Sequence, residues 1–175
     1  MTITIAAFDV MPDAEAAFKL AACCGSSAWV SRMLERRPFR SREHLLNEAD
    51  EVAQTLGDAD WLEAFSHHPR IGQRRSNAVV SSTAESWSTG EQSAVSLADT
   101  TVRAAISDAN ARYEEQFHFI FIISASGRTA AAILAELCDR LGNSREVEIR
   151  TAATEQQKIT RIRLEKLVTP SAADA

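Results

Sequence analysis

Two adjacent imidazoles in "FSHHPRIG", a carboxylate at Glu91 in "STGEQSAVSLA" and a guanidinium at Arg163 in "QQKITRIRLEKLV" are the groups of this chain best suited to chemistry. An imidazole titrates near neutrality and can give or take a proton. Pro69 disfavours helical geometry at the residue before it, so His68 should leave a helix in an extended conformation. Two roles fit that placement: presenting a side chain to a substrate, or capping the last carbonyls of the preceding helix while the other histidine stays in solvent. Glu91 stands three and four residues before Ala94 and Val95, toward the apolar side of its helix, where a buried carboxylate needs partners. It can equally serve the first helical turn through the helix dipole. Ile159, Arg163 and Leu167 are spaced by four, which puts a guanidinium on an apolar stripe. There it meets a carboxylate of the protein or of a ligand, or it runs its stem along the stripe to the edge. Arg161 falls outside the stripe and is expected in solvent.

Other chemistries lack their spacing. Adjacent histidines diverge, no H-E-x-x-H occurs, and His44 and His118 lie in unrelated segments, so no metal site is expected. There is no Walker loop, no G-x-G-x-x-G and no G-x-S-x-G elbow.

These groups must be held by 175 residues, enough for one domain with a real core. A formal charge of −5 without a basic stripe argues against nucleic acid as a partner. Of three cysteines, Cys23 and Cys24 are neighbours in an apolar helical stretch, where a mutual bridge would be strained; they read as packed thiols. No apolar stretch approaches the roughly 20 residues that span a bilayer, the N-terminus lacks a basic leader, and the end "PSAADA" carries no peroxisomal address. The expectation is a cytoplasmic protein.

The positioning elements read as helices. "PDAEAAFKLAACCG" has Pro12 at its start and carboxylates in its first turn; "SSAWVSRMLERRPF" is capped by Ser26 or Ser27 and broken by Pro38; "SREHLLNEADEVAQTLG" runs from Ser41 to Gly57. Asp58 or Asp60 caps a short helix through "WLEAFS", and "HHPRIGQRRSNAVVSST" is a long irregular piece. One helix or two cover 86–117, and "RTAAAILAELCDRLGN" and "SREVEIRTAATEQQKITRIRLEKLV" are the last two, the second ended by Pro170. "FHFIFIISASG" has strand propensity but no second strand to pair with, so it is read as buried extended or irregular chain. The fold class is all-α: one domain over 1–170 with a tail at 171–175, about seven to nine helices, and one buried irregular segment near 117–127.

"CCGSSAWVSRMLERRPF", "HPRIG", "STGEQ", "NARYEEQFHFIFIISASGRT" and "QKITRIRL", in this order and at these separations, resemble the 2-oxo-4-hydroxy-4-carboxy-5-ureidoimidazoline (OHCU) decarboxylase family of purine degradation. The likeness covers nearly the whole chain. It implies an all-α fold, usually homodimeric, that decarboxylates OHCU to (S)-allantoin without metal or organic cofactor. It puts the family's catalytic histidine at His68 with Pro69 beside the ligand, its glutamate at Glu91, and its arginine at Arg163. Substrate-binding runs fall on Ser88, Thr89, Gly90, Glu91 and Gln92, and on Phe121, Ile122, Ile123, Ser124 and Ala125, the latter partly through main-chain groups. Two positions depart from the family pattern: His118 stands where Gly commonly follows Phe, and Ser93-Ala94 replaces the glycine after Glu-Gln. A catalytically silent ureide-binding domain, or another ureide enzyme such as a hydrolase or racemase, is the alternative. The first would bind ureide without releasing CO2; the second would release ammonia or invert allantoin.

Overall fold

Polar residues that can cap helices fix where the helices begin. In the computed structural model, which describes residues 2–72, 87, 95 and 97–169, Ser26 accepts a hydrogen bond from the Trp29 amide, Ser41 from that of His44 and Thr129 from that of Ala132. The described residues form eight helices: α1 (Ile5–Asp9), α2 (Asp13–Cys23), α3 (Ser27–Glu35), α4 (Arg42–Ala53), α5 (Asp58–Ser66), α6 (Thr100–Phe117), α7 (Ala130–Arg140) and α8 (Arg145–Leu167). This matches the all-α expectation. The short α1, capped by Thr4, has no counterpart in the sequence reading, because five residues are too few to show a helical period. Pro170, the tail 171–175 and the expected run 88–92 lie outside the described residues.

The chain divides into two compact units, one made of Met1–Ala64 and Gln157–Ala175, the other of Phe65–Gln156. In the first, α2 packs on α3 and α3 on α4 around Phe8, Leu20, Trp29, Met33, Phe39 and Leu45, all of them fully buried. Both ends of the chain enter this unit: Ile3 and Val168 form an isolated parallel bridge, with the Ile3 amide donating to the Leu167 carbonyl at 3.0 Å. The carbonyls at the end of α1 are collected by one guanidinium. Arg37 donates to the oxygens of Phe8, Asp9 and Met11 at 2.5 to 2.8 Å and to the Asp13 carboxylate at 3.0 Å.

In the second unit α6 packs on α7, and the core is aromatic. The Tyr113 ring lies 4.6 Å from that of Phe117, 5.7 Å from Phe119 and 5.2 Å from Phe121, and Phe65 lies 5.4 Å from Phe119. Such tilted and edge-on pairs add to the area they bury. The segment after α6 therefore has a role that needs no sheet. Its aromatic side chains fill the core, and residues 120–125 run through it without regular secondary structure, as the lack of a partner strand leads one to expect.

The turn into this segment is made by His118, which ends α6 in the left-handed conformation at φ 61 and donates its amide to the Glu114 carbonyl at 2.9 Å. Glycine takes that conformation without steric cost, which accounts for glycine as the residue common in the resembling family. The His118 side chain is exposed and has little packing to lose. Relief of the left-handed strain should outweigh the extra freedom that glycine gives the unfolded chain. His118→Gly is thus expected to stabilise the protein by roughly 0.5–1 kcal/mol, read as a higher urea midpoint at unchanged slope; a lower midpoint would mean that the imidazole makes a stabilising contact.

Candidate active site

The loop that carries His68 is pinned at both ends. At its start α5 closes through the His68 amide, which donates to the Phe65 carbonyl at 3.0 Å, and the chain then leaves the helix at Pro69, as the proline requires. At its far end the buried Asn110 donates from its side-chain amide to the Ile71 carbonyl at 3.2 Å. One turn along α6, Glu114 takes both donors of the Arg70 fork at 2.6 and 2.7 Å, which raises the Arg70 pKa further. That pair is exposed and adds geometry more than stability. Gly72 holds φ 82, and a Cβ there would stand 3.3 Å from the Val95 side chain, so both conformation and space call for glycine. His68 and Pro69 are half-buried on this braced loop.

The run Phe121–Ala125 is buried in the same unit, and the contact of Phe65 with Phe119 ties the base of the His68 loop to the base of the run. Buried main-chain groups outside a ladder need side-chain partners. Arg140 donates from Nη1 to the Ile122 carbonyl at 2.9 Å, and the Ser124 amide donates to Glu155 Oε2 at 2.8 Å. Arg140 also lies over the Phe121 ring at 4.5 Å and donates to Glu148 Oε1 from Nε at 2.8 Å and from Nη2 at 2.5 Å. Glu148 has no exposed surface; it accepts in addition from Asn143 at 2.7 Å and from the Tyr113 hydroxyl. Burial, then the bond to Glu148, holds the Tyr113 phenol well above its ordinary range, so it stays protonated and donates.

In the first unit, Arg163 is buried, as its place on the apolar stripe implies, and its Nη1 donates to the Ala22 carbonyl at 3.3 Å. Ala22 lies in the last turn of α2, where carbonyls lack helical partners and the dipole favours a cation. Arg161 is exposed but not merely solvated: it bonds Asp50 at 2.8 Å and stands 3.9 Å from Glu165. Cys24 is next in the chain after α2, and burial pushes its thiol up to about 11 against a smaller lowering effect of Arg163. A thiol so raised is a packed group and not a nucleophile, in agreement with the sequence reading.

His68, Pro69 and the run Phe121–Ala125 thus belong to one unit, Arg163 to the other, and Ser88, Thr89, Gly90, Glu91 and Gln92 lie outside the described residues. Among the described residues no three His, Cys, Asp or Glu side chains are grouped to hold a metal ion, and no helix is long and apolar enough to cross a membrane. Sequence reasoning missed Arg140, Glu148 and Glu155. Glu148 and Glu155 are seven apart in α8, on the face that also buries Ile149 and Ala152, and charges on that face erase the apolar period that would mark it.

Comparison with known proteins follows the same lines. Residues 9–165 match the family model described as OHCU decarboxylase. The chain is 37% identical over 150 residues to the uric acid degradation bifunctional protein TTL of Arabidopsis thaliana, covering 86% of this chain but only 46% of that protein. It is 31% identical to the 2-oxo-4-hydroxy-4-carboxy-5-ureidoimidazoline decarboxylase of Amia calva, covering 75% of each. A crystal structure of OHCU decarboxylase in the presence of (S)-allantoin is similar at a TM-score of 0.72 and 33% identity, over 86% of this chain and 96% of that one.

The thiols offer a direct check of packing at the end of α2. Cys23 and Cys24 are buried and Cys138 is exposed. In the native protein at pH 8 a chromogenic disulfide reagent should titrate one thiol per chain within minutes, and the other two only after denaturation. Fast reaction of either remaining thiol in a Cys138→Ser variant would contradict the packing of the α2 terminus.

Proposed function

The chain belongs to the OHCU decarboxylase family, and we propose that it decarboxylates OHCU to (S)-allantoin in the breakdown of urate. The observation that carries this reading is the match along nearly the whole chain to a decarboxylase crystallised with (S)-allantoin. Its working form is proposed to be a homodimer, the state that the family resemblance implies, in the cytoplasm.

The substrate carries its own electron sink. The carbon that loses CO2 also bears a hydroxyl and adjoins a ring C=N, so the carboxylate is β to an imine. When the carbon–carbon bond breaks, its electron pair forms a carbon–carbon double bond and the imine pair moves to nitrogen, which takes a proton. Collapse of the resulting enol to a carbonyl releases the hydroxyl proton, and the carbon bearing the ureido group gains one. The protein must hold an anion, stabilise charge moving into the ring, and deliver a proton to one face.

We assign proton transfer to His68, whose imidazole suits the task and whose loop is braced against α6 by Asn110 and Glu114. Arg163 recognises the anion: the residue is buried, and its planar guanidinium matches the two oxygens of a carboxylate. Glu91 accepts hydrogen bonds from ring or ureido N–H groups. Pro69, the run Ser88 to Gln92 and the run Phe121 to Ala125 complete the substrate contacts, the second run partly through its main chain. Delivery of the proton from a single side makes the product one enantiomer.

Fresh urate-oxidation products mixed with the protein should give allantoin that is optically active, faster than spontaneous decay; racemic product at the spontaneous rate would refute the assignment. His68→Ala and His68→Asn should lower kcat by about 100-fold or more with helix content unchanged, the scale of general acid–base catalysis. Glu91→Gln should also lose turnover. Arg163→Lys, which keeps the charge but loses the planar fork, should lower kcat/KM by roughly 10- to 100-fold. Wild-type kinetics in Arg163→Lys would leave that residue a structural role alone.

A further inference from the structure

We propose that Glu155 is a positioning residue for the reaction, setting the place of the substrate-facing run through the amide of Ser124. The inference rests on the reading of Phe121–Ala125 as a substrate contact, and it goes beyond it by naming what holds that contact in place. The run is irregular, so no neighbouring strand fixes its register. Side chains must do so. Toward its start the Ile122 carbonyl is held by Arg140, and at its end the Ala125 carbonyl accepts from the Arg128 amide at 3.1 Å in a turn that leads to Gly127 at φ 76. Between those two points Ser124 is held by Glu155 Oε2 at 2.8 Å, from a carboxylate only 5% exposed. Arg128 Nη2 stands 3.8 Å from the same oxygen.

A carboxylate accepting from a backbone amide makes a shorter and stronger bond than a neutral acceptor would. Burying a carboxylate is expensive for a purely structural purpose, and α8 fills other buried positions with aliphatic residues, Ile149 and Ala152 among them. It is understandable where the main chain itself must meet a ligand at fixed distances, because a small displacement of a positioning group costs binding out of proportion to its size. Arg140 is a poorer candidate for this part. It serves Glu148, Ile122 and Phe121 at once, so its removal would disturb the core before it disturbed the run.

Two substitutions of the full-length protein separate acceptance from charge. Glu155→Gln keeps a side-chain carbonyl oxygen in reach of the Ser124 amide, whereas Glu155→Met keeps the volume with only a weak acceptor. In steady-state assays on OHCU, Glu155→Met should raise KM about tenfold with kcat nearly unchanged, the signature of lost binding common to ground and transition states. Glu155→Gln should return KM to within about threefold of wild type. Hydrogen exchange should show the Ser124 amide protected in wild type and Glu155→Gln, and exchanging at least tenfold faster in Glu155→Met. An unchanged KM in Glu155→Met, with any loss confined to kcat in proportion to unfolded protein, would overturn the proposal. Equal damage to kcat in both variants would overturn it too, since the carboxylate would then be acting on substrate itself. If wild type fails to decarboxylate OHCU, the functional reading falls, while the exchange comparison still decides whether Glu155 holds the run; unaltered Ser124 exchange in Glu155→Met would show that it does not.

Discussion

A main-chain carbonyl at Ile122 and a main-chain amide at Ser124 are buried, and among the described residues no strand lies beside them. Left unpaired, each such group costs about 1–3 kcal/mol, a substantial share of the roughly 5–15 kcal/mol by which folded domains are stable. The second unit is arranged around that demand. Arg140 at the end of α7 and Glu155 in α8 supply the missing partners, Glu148 supplies the acceptor that Arg140 itself needs once it is buried, and Asn143 and Tyr113 donate to Glu148 in turn. The side chains of the same segment point the other way in the energy balance. Phe119 and Phe121 join Tyr113, Phe117 and Phe65 in the aromatic core, and their burial offsets the cost of ordering the segment.

This arrangement explains which parts of the molecule could be read in the sequence. Helices whose polar caps and apolar periods agree were legible to within a few residues: Ser26, Ser41 and Thr129 cap where their side-chain chemistry says they should. The irregular segment was legible by elimination, because a β-branched run without a partner strand has to be something other than a sheet. Its partners were not, since nothing in Arg140 or Glu155 alone reveals which carbonyl or amide lies across from it in space. α1 was missed for want of length, and α2 ends by turning into extended chain at Cys24.

Within α8 the legible and the hidden share one cause. Arg163 was noticed because a charge interrupts an apolar stripe at Ile159 and Leu167, and it is indeed buried. Glu148, Glu155, Gln156 and Thr160 interrupt the buried face of the same helix more often than they confirm it, so the helix has almost no amphipathic signature to read. Sequence reasoning that follows hydrophobic period fails where polar groups are buried on purpose, and such places are where strain and function concentrate. The His68 loop is the converse case. Proline, glycine and histidine advertise the turn, while the residues that brace it, Asn110 and Glu114, look like ordinary polar positions of a long surface helix.

The buried Arg140–Glu148 pair then poses a question of energetics. Exchange of a buried ion pair for apolar residues of similar volume is often neutral, or stabilising by about 1–4 kcal/mol, so the pair would ordinarily be weak evidence of a stabilising design. Here that exchange does more than remove two charges. It strips the donor from the Ile122 carbonyl, the cation from the face of Phe121, and the acceptor from the Tyr113 hydroxyl and the Asn143 amide. At about 1–3 kcal/mol for each buried group left without a partner, the loss matches or exceeds the gain. The pair is therefore tied to the irregular segment: a sequence could discard the charges only by replacing the segment with one that satisfies its own main chain.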